Sequence, residues 1–512
     1  MKTSILTRRG LLGATTAAAG ALVLPSTRAR AFLVASSGRK GHSPITDITL
    51  DNTIFTGSDL GTGSALIGQI RTVPDVTADW SVGGADGSLF KVVTNSLWQK
   101  TNRADPTLQT VGAITGRAAG FSISVTATPS GGGTPFAKPF TLGLPSIPAD
   151  QGTVRTVDPP SSSSALQTII NGAAEGDTIF FNPGTYKLTT AVVPRAGQLY
   201  KCDTGANRAT IEGPDGDVIY FGRYPDTIDR CKFYGLAFHR VVPTANNSSG
   251  WTFTNCSFNN DNINNQDIGQ GACVFLTSPS NFVFEFCSFR DANSGIRMYS
   301  PDNTTVTRCT FINITQCFGI SPGAGTTQGR NIRATKNYLR GMKRMGFEFH
   351  PESGTGYMTN MLVADNFIEN WGSPIYSDGN SLGLSIVPST GTGNQILRNY
   401  VKAGPNLNTS PHGPGTIGHG YGIEFNSDAP VTVSDNYING LGVSPGYLFD
   451  AAIYGPYVNV AHILSNNNNI NCNDAYGGGG GTQMGFAPNA IVIGTTHIDL
   501  GTPSPFAAGA GP

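Results

Sequence analysis

From about residue 218 the chain returns, every 22–37 residues, to the same short register. Each return is an apolar strand, a turn, a second strand, and a small polar residue with an apolar one two positions on. The small slot is cysteine in Cys231-Lys232-Phe233, Cys256-Ser257-Phe258, Cys287-Ser288-Phe289 and Cys309-Thr310-Phe311. It then becomes asparagine in Asn337-Tyr338-Leu339, Asn366-Phe367-Ile368, Asn399-Tyr400-Val401, Asn436-Tyr437-Ile438 and Asn468-Asn469-Ile470. One strand set per repeat with a stacked corner residue predicts an all-β chain wound as a parallel β-helix. Inward asparagines would bond the coils above and below through their amides, pairing backbone groups buried at the corner.

The repeat has a recognisable beginning. Ala165-Leu166-Gln167-Thr168-Ile169-Ile170-Asn171-Gly172-Ala173 has the apolar spacing of a short helix. Glu175-Gly176-Asp177-Thr178-Ile179-Phe180-Phe181 and Pro183-Gly184-Thr185-Tyr186 follow it. This order of helix, strand and turn resembles the opening of right-handed β-helix proteins of the pectate-lyase-like superfamily, which includes polysaccharide lyases, epimerases and hydrolases. The resemblance implies a right-handed helix over residues 161–495, a tail over 496–512, and a capping helix that closes the open end of the solenoid.

Thr7-Arg8-Arg9-Gly10-Leu11-Leu12, an apolar run to Leu24 and Ala29-Arg30-Ala31 resemble a bacterial twin-arginine signal over residues 1–31. Its implication is a periplasmic or secreted protein that folds before export. The eight cysteines are then expected as buried free thiols rather than disulfides. A net charge of zero with 13% charged residues gives no footprint for nucleic acid. No segment after residue 31 is long and apolar enough to span a membrane. A monomer acting on a polysaccharide is expected.

Residues 44–145 differ in texture. Alternating segments such as Ile45-Thr46-Asp47-Ile48-Thr49-Leu50 and Phe121-Ser122-Ile123-Ser124-Val125-Thr126-Ala127, separated by Gly/Asp turns, predict a β-sandwich. It resembles a cadherin-like domain, although Ala127-Thr128-Pro129-Ser130 stands where such domains carry their acidic calcium motif. Residues 146–160 read as a linker.

Candidate chemistry comes from aligning one strand of each coil on its inward residue: Val274, Ile296, Ile320, Phe347, Leu384, Ile423, Ile453. The outward neighbours are Phe275, Arg297, Ser321, Glu348, Ser385, Glu424 and Tyr454. A second outward column reads Thr277, Tyr299, Gly323, His350, Val387, Asn426 and Pro456. Arg297, Glu348, His350 and Glu424, joined by nearby Arg344, form the candidate catalytic set. Phe275, Tyr299, Tyr454 and Asn426 form the candidate sugar-binding set.

Gly346, Phe347 and His350 resemble part of a motif of mannuronan C5-epimerases, with Glu348 replacing its aspartate. Gly418-His419-Gly420 resembles a motif of polygalacturonase-like hydrolases, but Ser381, Leu382 and Ser385 stand where that family's paired aspartates belong. The favoured reading is β-elimination on a uronate polysaccharide. Arg297 or Arg344 would neutralise the carboxylate, His350 would take the proton, and Tyr454 or Tyr299 would donate one. Calcium, if used, would be held by Glu348 and Glu424. The alternatives are inverting hydrolysis by Glu348 and Glu424, two coils or ~9.6 Å apart by strand spacing, C5-epimerisation, and a non-catalytic binding solenoid.

Overall fold

The structure is a computed structural model. It describes the chain except residues 1–43, 51–53, 55–65, 75, 94–105, 112–119, 203–207, 223–226, 263–269, 322–327, 343, 350–356, 370–380, 387–390, 403–419, 426–429, 440–448, 455–462, 466, 471, 478–490, 494–495 and 499–512. The signal-peptide expectation therefore lies outside the described residues.

Among them, two parallel sheets of 13 and 20 strands wind into a β-helix. Each coil gives one strand to the first sheet and two to the second. Where the corner between those two is gentle they merge, as in Ser288–Tyr299 and Thr310–Ser321. The coil therefore has three faces: the 13-stranded one, a second carrying strands such as Tyr338–Arg340, and a third carrying strands such as Met345–Phe349.

The corner between the first two faces shows how the repeat folds. Its turning residue adopts a left-handed backbone in coil after coil: Asn255, Phe286, Arg308, Lys336, Asp365, Arg398 and Asp435 have φ of 53°, 53°, 52°, 56°, 58°, 52° and 57°. The next residue turns inward into the Cys/Asn slot. Asn337, Asn366, Asn399 and Asn436 each donate Nδ2 to the carbonyl of the preceding coil, at Val306, Ala334, Val363 and Ile396 respectively, 2.9–3.0 Å away. Each Oδ1 accepts the backbone N–H of the slot residue one coil back, as in Cys309 N to Asn337 Oδ1 at 2.9 Å. The cysteines make the weaker version of the same bond: Cys287 Sγ to Phe253 O at 3.3 Å and Cys309 Sγ to Phe284 O at 3.5 Å.

Two register expectations need correction. Lys232 pairs with Thr252, so Cys231 precedes the 13-stranded face beside Trp251; the stack is Cys256, Cys287 and Cys309. Tyr437 pairs with Asn468, so the slot residue of that coil is Asn467 and not Asn468; it accepts from Asn436 Nδ2 at 3.0 Å. In both cases neighbouring residues offered the same small-polar, apolar spacing, and strand pairing decided between them. A second ladder, of exposed asparagines with φ near +50°, lines the corner before the 13-stranded face, with Asn303 bonding Asn281 at 2.6 Å and Asn360 bonding Asn331 at 3.2 Å.

Stacked phenylalanines fill the interior: Phe233 on Phe253 at 4.6 Å, Phe253 on Phe284 at 4.9 Å, Phe258 on Phe289 at 4.8 Å and Phe289 on Phe311 at 4.7 Å. Such pairs are worth about 0.5–1.5 kcal/mol each beyond the area they bury. The predicted helix spans Ser163–Gly172, is capped by the Ser162 hydroxyl, and buries Leu166 and Ile170 against the first coils.

The β-helix begins earlier than residue 161. Val154–Val157 pairs in parallel with Thr178–Phe181 as the first strand of the 13-stranded sheet, so part of the expected linker is structure. The rest of that segment is tied down: Tyr234 Oη donates to Pro145 O at 2.6 Å, and Lys201 Nζ pairs with Asp150 at 2.7 Å. Pairing also reaches past residue 495, to Thr496–Ile498.

The N-terminal segment forms two antiparallel sheets of four and three strands enclosing Ile48, Ile70, Leu108, Phe121, Ile123 and Val125, a β-sandwich. Ile312, which points outward from the β-helix, packs against this core. No helix among the described residues is long and apolar enough to cross a membrane.

Candidate active site

The strands of the third face that carry the site start at a close approach. A Cβ on Gly295, Gly346 or Gly383 would lie 2.3–2.5 Å from a carbonyl oxygen of the next coil, so only glycine fits. Two residues on, the side chain leaves the outer surface. This geometry places Arg297, Glu348, Ser385 and Glu424 on one column.

Register along the column is continuous. Phe275 pairs with Arg297, Arg297 with Gly319, Gly319 with Glu348, Glu348 with Ser385, Ser385 with Glu424, and Glu424 with Tyr454. The expected Ser321 is replaced by Gly319, because Phe318 and not Ile320 stands beside Ile296. Gly319-Ile320-Ser321 imitates Gly295-Ile296-Arg297 in sequence. In the structure the small Cys317 occupies the glycine position instead. Ser321 pairs with Tyr299 in the second column.

Arg297 and Glu348, two coils apart, form an ion pair at 3.5 Å, with side chains only 10% and 13% exposed. The Arg297 guanidinium also lies 5.7 Å from the Tyr299 ring centre, and Tyr299 meets Phe275 edge-to-face at 5.7 Å. On the other side of Glu348, Ser385 Oγ donates to Glu424 Oε2 at 2.7 Å. The structure thus brings together Phe275, Arg297, Tyr299, Glu348 and Glu424, and adds Gly319 and a hydrogen-bonding role for Ser385. Arg344 precedes the Glu348 strand and is fixed by its backbone N–H to Thr315 O at 3.0 Å; it does not belong to the column. His350 and Asn426 lie outside the described residues, as does the side chain of Tyr454.

No group of three or more metal-ligating side chains converges among the described residues. Glu348 and Glu424, the expected calcium pair, are held apart by the intervening Ser385 coil, and each has a protein partner.

The fold and this column together define the class, a right-handed parallel β-helix with a polar column on one face. A family model described as "Right handed beta helix region" matches residues 199–381. Among solved structures, the chain is similar to the family 28 exopolygalacturonase of Yersinia enterocolitica, with 9% identity, a TM-score of 0.39, and coverage of 89% of this chain and 99% of that one. It is similar to the DFA-IIIase of Arthrobacter chlorophenolicus A6, with 10% identity, a TM-score of 0.40, and coverage of 67% and 94%. It is also similar to an alginate lyase of Paenibacillus sp., with 9% identity, a TM-score of 0.29, and coverage of 67% and 99%. No curated protein matches the sequence.

Proposed function

We propose that the protein is an exported polysaccharide-active enzyme that cleaves glycosidic bonds hydrolytically, with Glu348 and Glu424 as the catalytic pair. The observation that carries this reading is their placement on one outward column with a single coil between them, each carboxylate held by its own partner. Two coil spacings are ~9.6 Å between strands, at the upper edge of the separation that inversion uses. Inverting hydrolysis needs carboxyl groups ~6.5–9.5 Å apart, so that a water fits beside the scissile bond, whereas retaining enzymes hold them at ~5–5.5 Å.

The roles follow from the partners. Glu348, held in place by the Arg297 guanidinium, is assigned as the base. Glu348 takes a proton from water as its oxygen attacks the anomeric carbon, and Glu424 gives its proton to the departing glycosidic oxygen. Ser385, bonded to Glu424, orients that acid. From Phe275 to Tyr454 the column runs about 29 Å at one strand spacing per coil, long enough for several sugar rings. Tyr299 and Phe275 supply aromatic surface at one end.

Elimination would use Arg297 to neutralise a uronate, but its guanidinium faces Glu348. The hydrolytic reading does not require an acidic substrate. The N-terminal sandwich, read as cadherin-like, serves as an accessory domain fixed to the solenoid.

The test is incubation with a panel of neutral and acidic polysaccharides. New reducing ends, ultraviolet absorbance of unsaturated uronates and product anomeric configuration are followed together. Hydrolysis yields reducing ends of inverted configuration without absorbance, and Glu348→Gln and Glu424→Gln each lower the rate by about 10²–10⁴-fold. An unsaturated product lost in His350→Ala would move the reading to elimination. Binding without turnover would make the chain a carbohydrate-binding solenoid.

A further inference from the structure

Gly319 has no backbone reason to be glycine. Its φ lies outside the left-handed range and its strand pairs regularly on both sides. Glycine inside a strand costs conformational entropy and contributes no packing. The three atoms that a Cβ here would meet first all belong to one side chain: Arg297 Nη1 at 2.8 Å, Cδ at 3.2 Å and Cζ at 3.6 Å. Arg297 therefore lies flat across the bare Gly319 coil, and that path takes its guanidinium to Glu348 in the coil beyond.

We propose that Gly319 is a positioning residue for the candidate site: its missing side chain is the channel through which Arg297 reaches and orients Glu348. The role in catalysis rests on the hydrolytic reading above; the structural part does not. The obstacle to a Cβ at Gly319 is a flexible side chain rather than backbone. Gly319→Ala should therefore fold, with the guanidinium pushed aside and the ion pair broken.

The test separates structure from activity. Coupling between Arg297→Gln and Glu348→Gln is measured by urea unfolding of the full chain, in the native background and with Gly319→Ala. The expected result is non-additivity in the native background and additivity with Gly319→Ala. Equal coupling in both backgrounds overturns the proposal. Should Gly319→Ala lose stability, the loss should be smaller when measured in an Arg297→Ala background, where no clash remains; an equal loss in both backgrounds also overturns the proposal. With a cleaved polysaccharide in hand, Gly319→Ala should lower kcat with KM little changed, as Arg297→Ala does, and combining the two should lower it no further. An unchanged kcat, or fully multiplying losses, would refute the positioning role. If coupling is lost as expected but no polysaccharide is cleaved, the structural device stands and the hydrolytic reading falls.

Discussion

Arg297 and Glu348 meet at 3.5 Å although a whole coil separates their strands. Both side chains are largely withdrawn from water. Removing one partner of such a pair leaves the other charge buried alone, at a cost of about 3–5 kcal/mol. Arg297→Met should therefore destabilise the protein strongly in urea unfolding, and Arg297→Met/Glu348→Gln should recover much of the loss. A single variant as stable as the native protein would show that the pair is not formed in solution.

The asparagine ladder makes a second prediction. Asn399 accepts from the backbone N–H and Nδ2 of Asn366 and donates to Val363 O and Asn436 Oδ1. Asn399→Leu strands several buried groups at about 1–3 kcal/mol each. Asn171→Ala, on the exposed side of the capping helix, should cost well under 1 kcal/mol. Similar midpoints for the two variants in thermal melts would refute a ladder that bears on stability.

The described cysteines whose side chains are resolved as buried give a third. Burial pushes the Cys256 and Cys287 thiols well above the ordinary cysteine range, and no solvent reaches either. The thiolate is the reactive form. At pH 8 an aromatic disulfide reagent should label these residues only at the rate of unfolding, and denaturant should release the reaction. Rapid stoichiometric labelling of Cys287 in the folded protein would contradict the packing.

Asp177 carries a pH dependence. It accepts from Thr153 N at 2.9 Å and from Ala174 N at 2.8 Å, tying the first strand to the end of the capping helix. Those bonds hold its carboxyl below the usual aspartate range. A lowered folded-state value means the stabilisation is full above the ordinary aspartate pKa and is lost as pH falls through the lowered one. The stability gap between native protein and Asp177→Asn should thus be constant near neutrality and shrink below about pH 4. A gap that stays constant through that acid range would be the wrong sign for this linkage.

The solenoid is legible because stacking repeats one small choice of residues from coil to coil: a cysteine or asparagine in the corner slot and an apolar residue two positions on. Register is ambiguous in the sequence where two alignments satisfy the same local pattern. Gly319-Ile320-Ser321 matches the site strand as well as Cys317-Phe318-Gly319 does, and only pairing with neighbours separates them. Arg297 and the two glutamates were found from alternation alone. Their partners were not, since the Arg297–Glu348 contact runs across coils, and nothing local to either residue encodes it. The outward Ile312 is similar: an apolar residue on a polar face had its reason in a different domain.

The site also counts coils. Arg297 reaches Glu348 two coils on, and Glu348 faces Glu424 two coils further, with Gly319 and Ser385 as the intervening members. A repeat fold changes most readily by gaining or losing a whole coil, which leaves every ladder and stack intact. Within the span from Arg297 to Glu424, that otherwise harmless step would bring the wrong members together, setting a glutamate beside a serine coil too near or too far. On the hydrolytic reading proposed above, this stretch is a fixed-length insert within the scaffold.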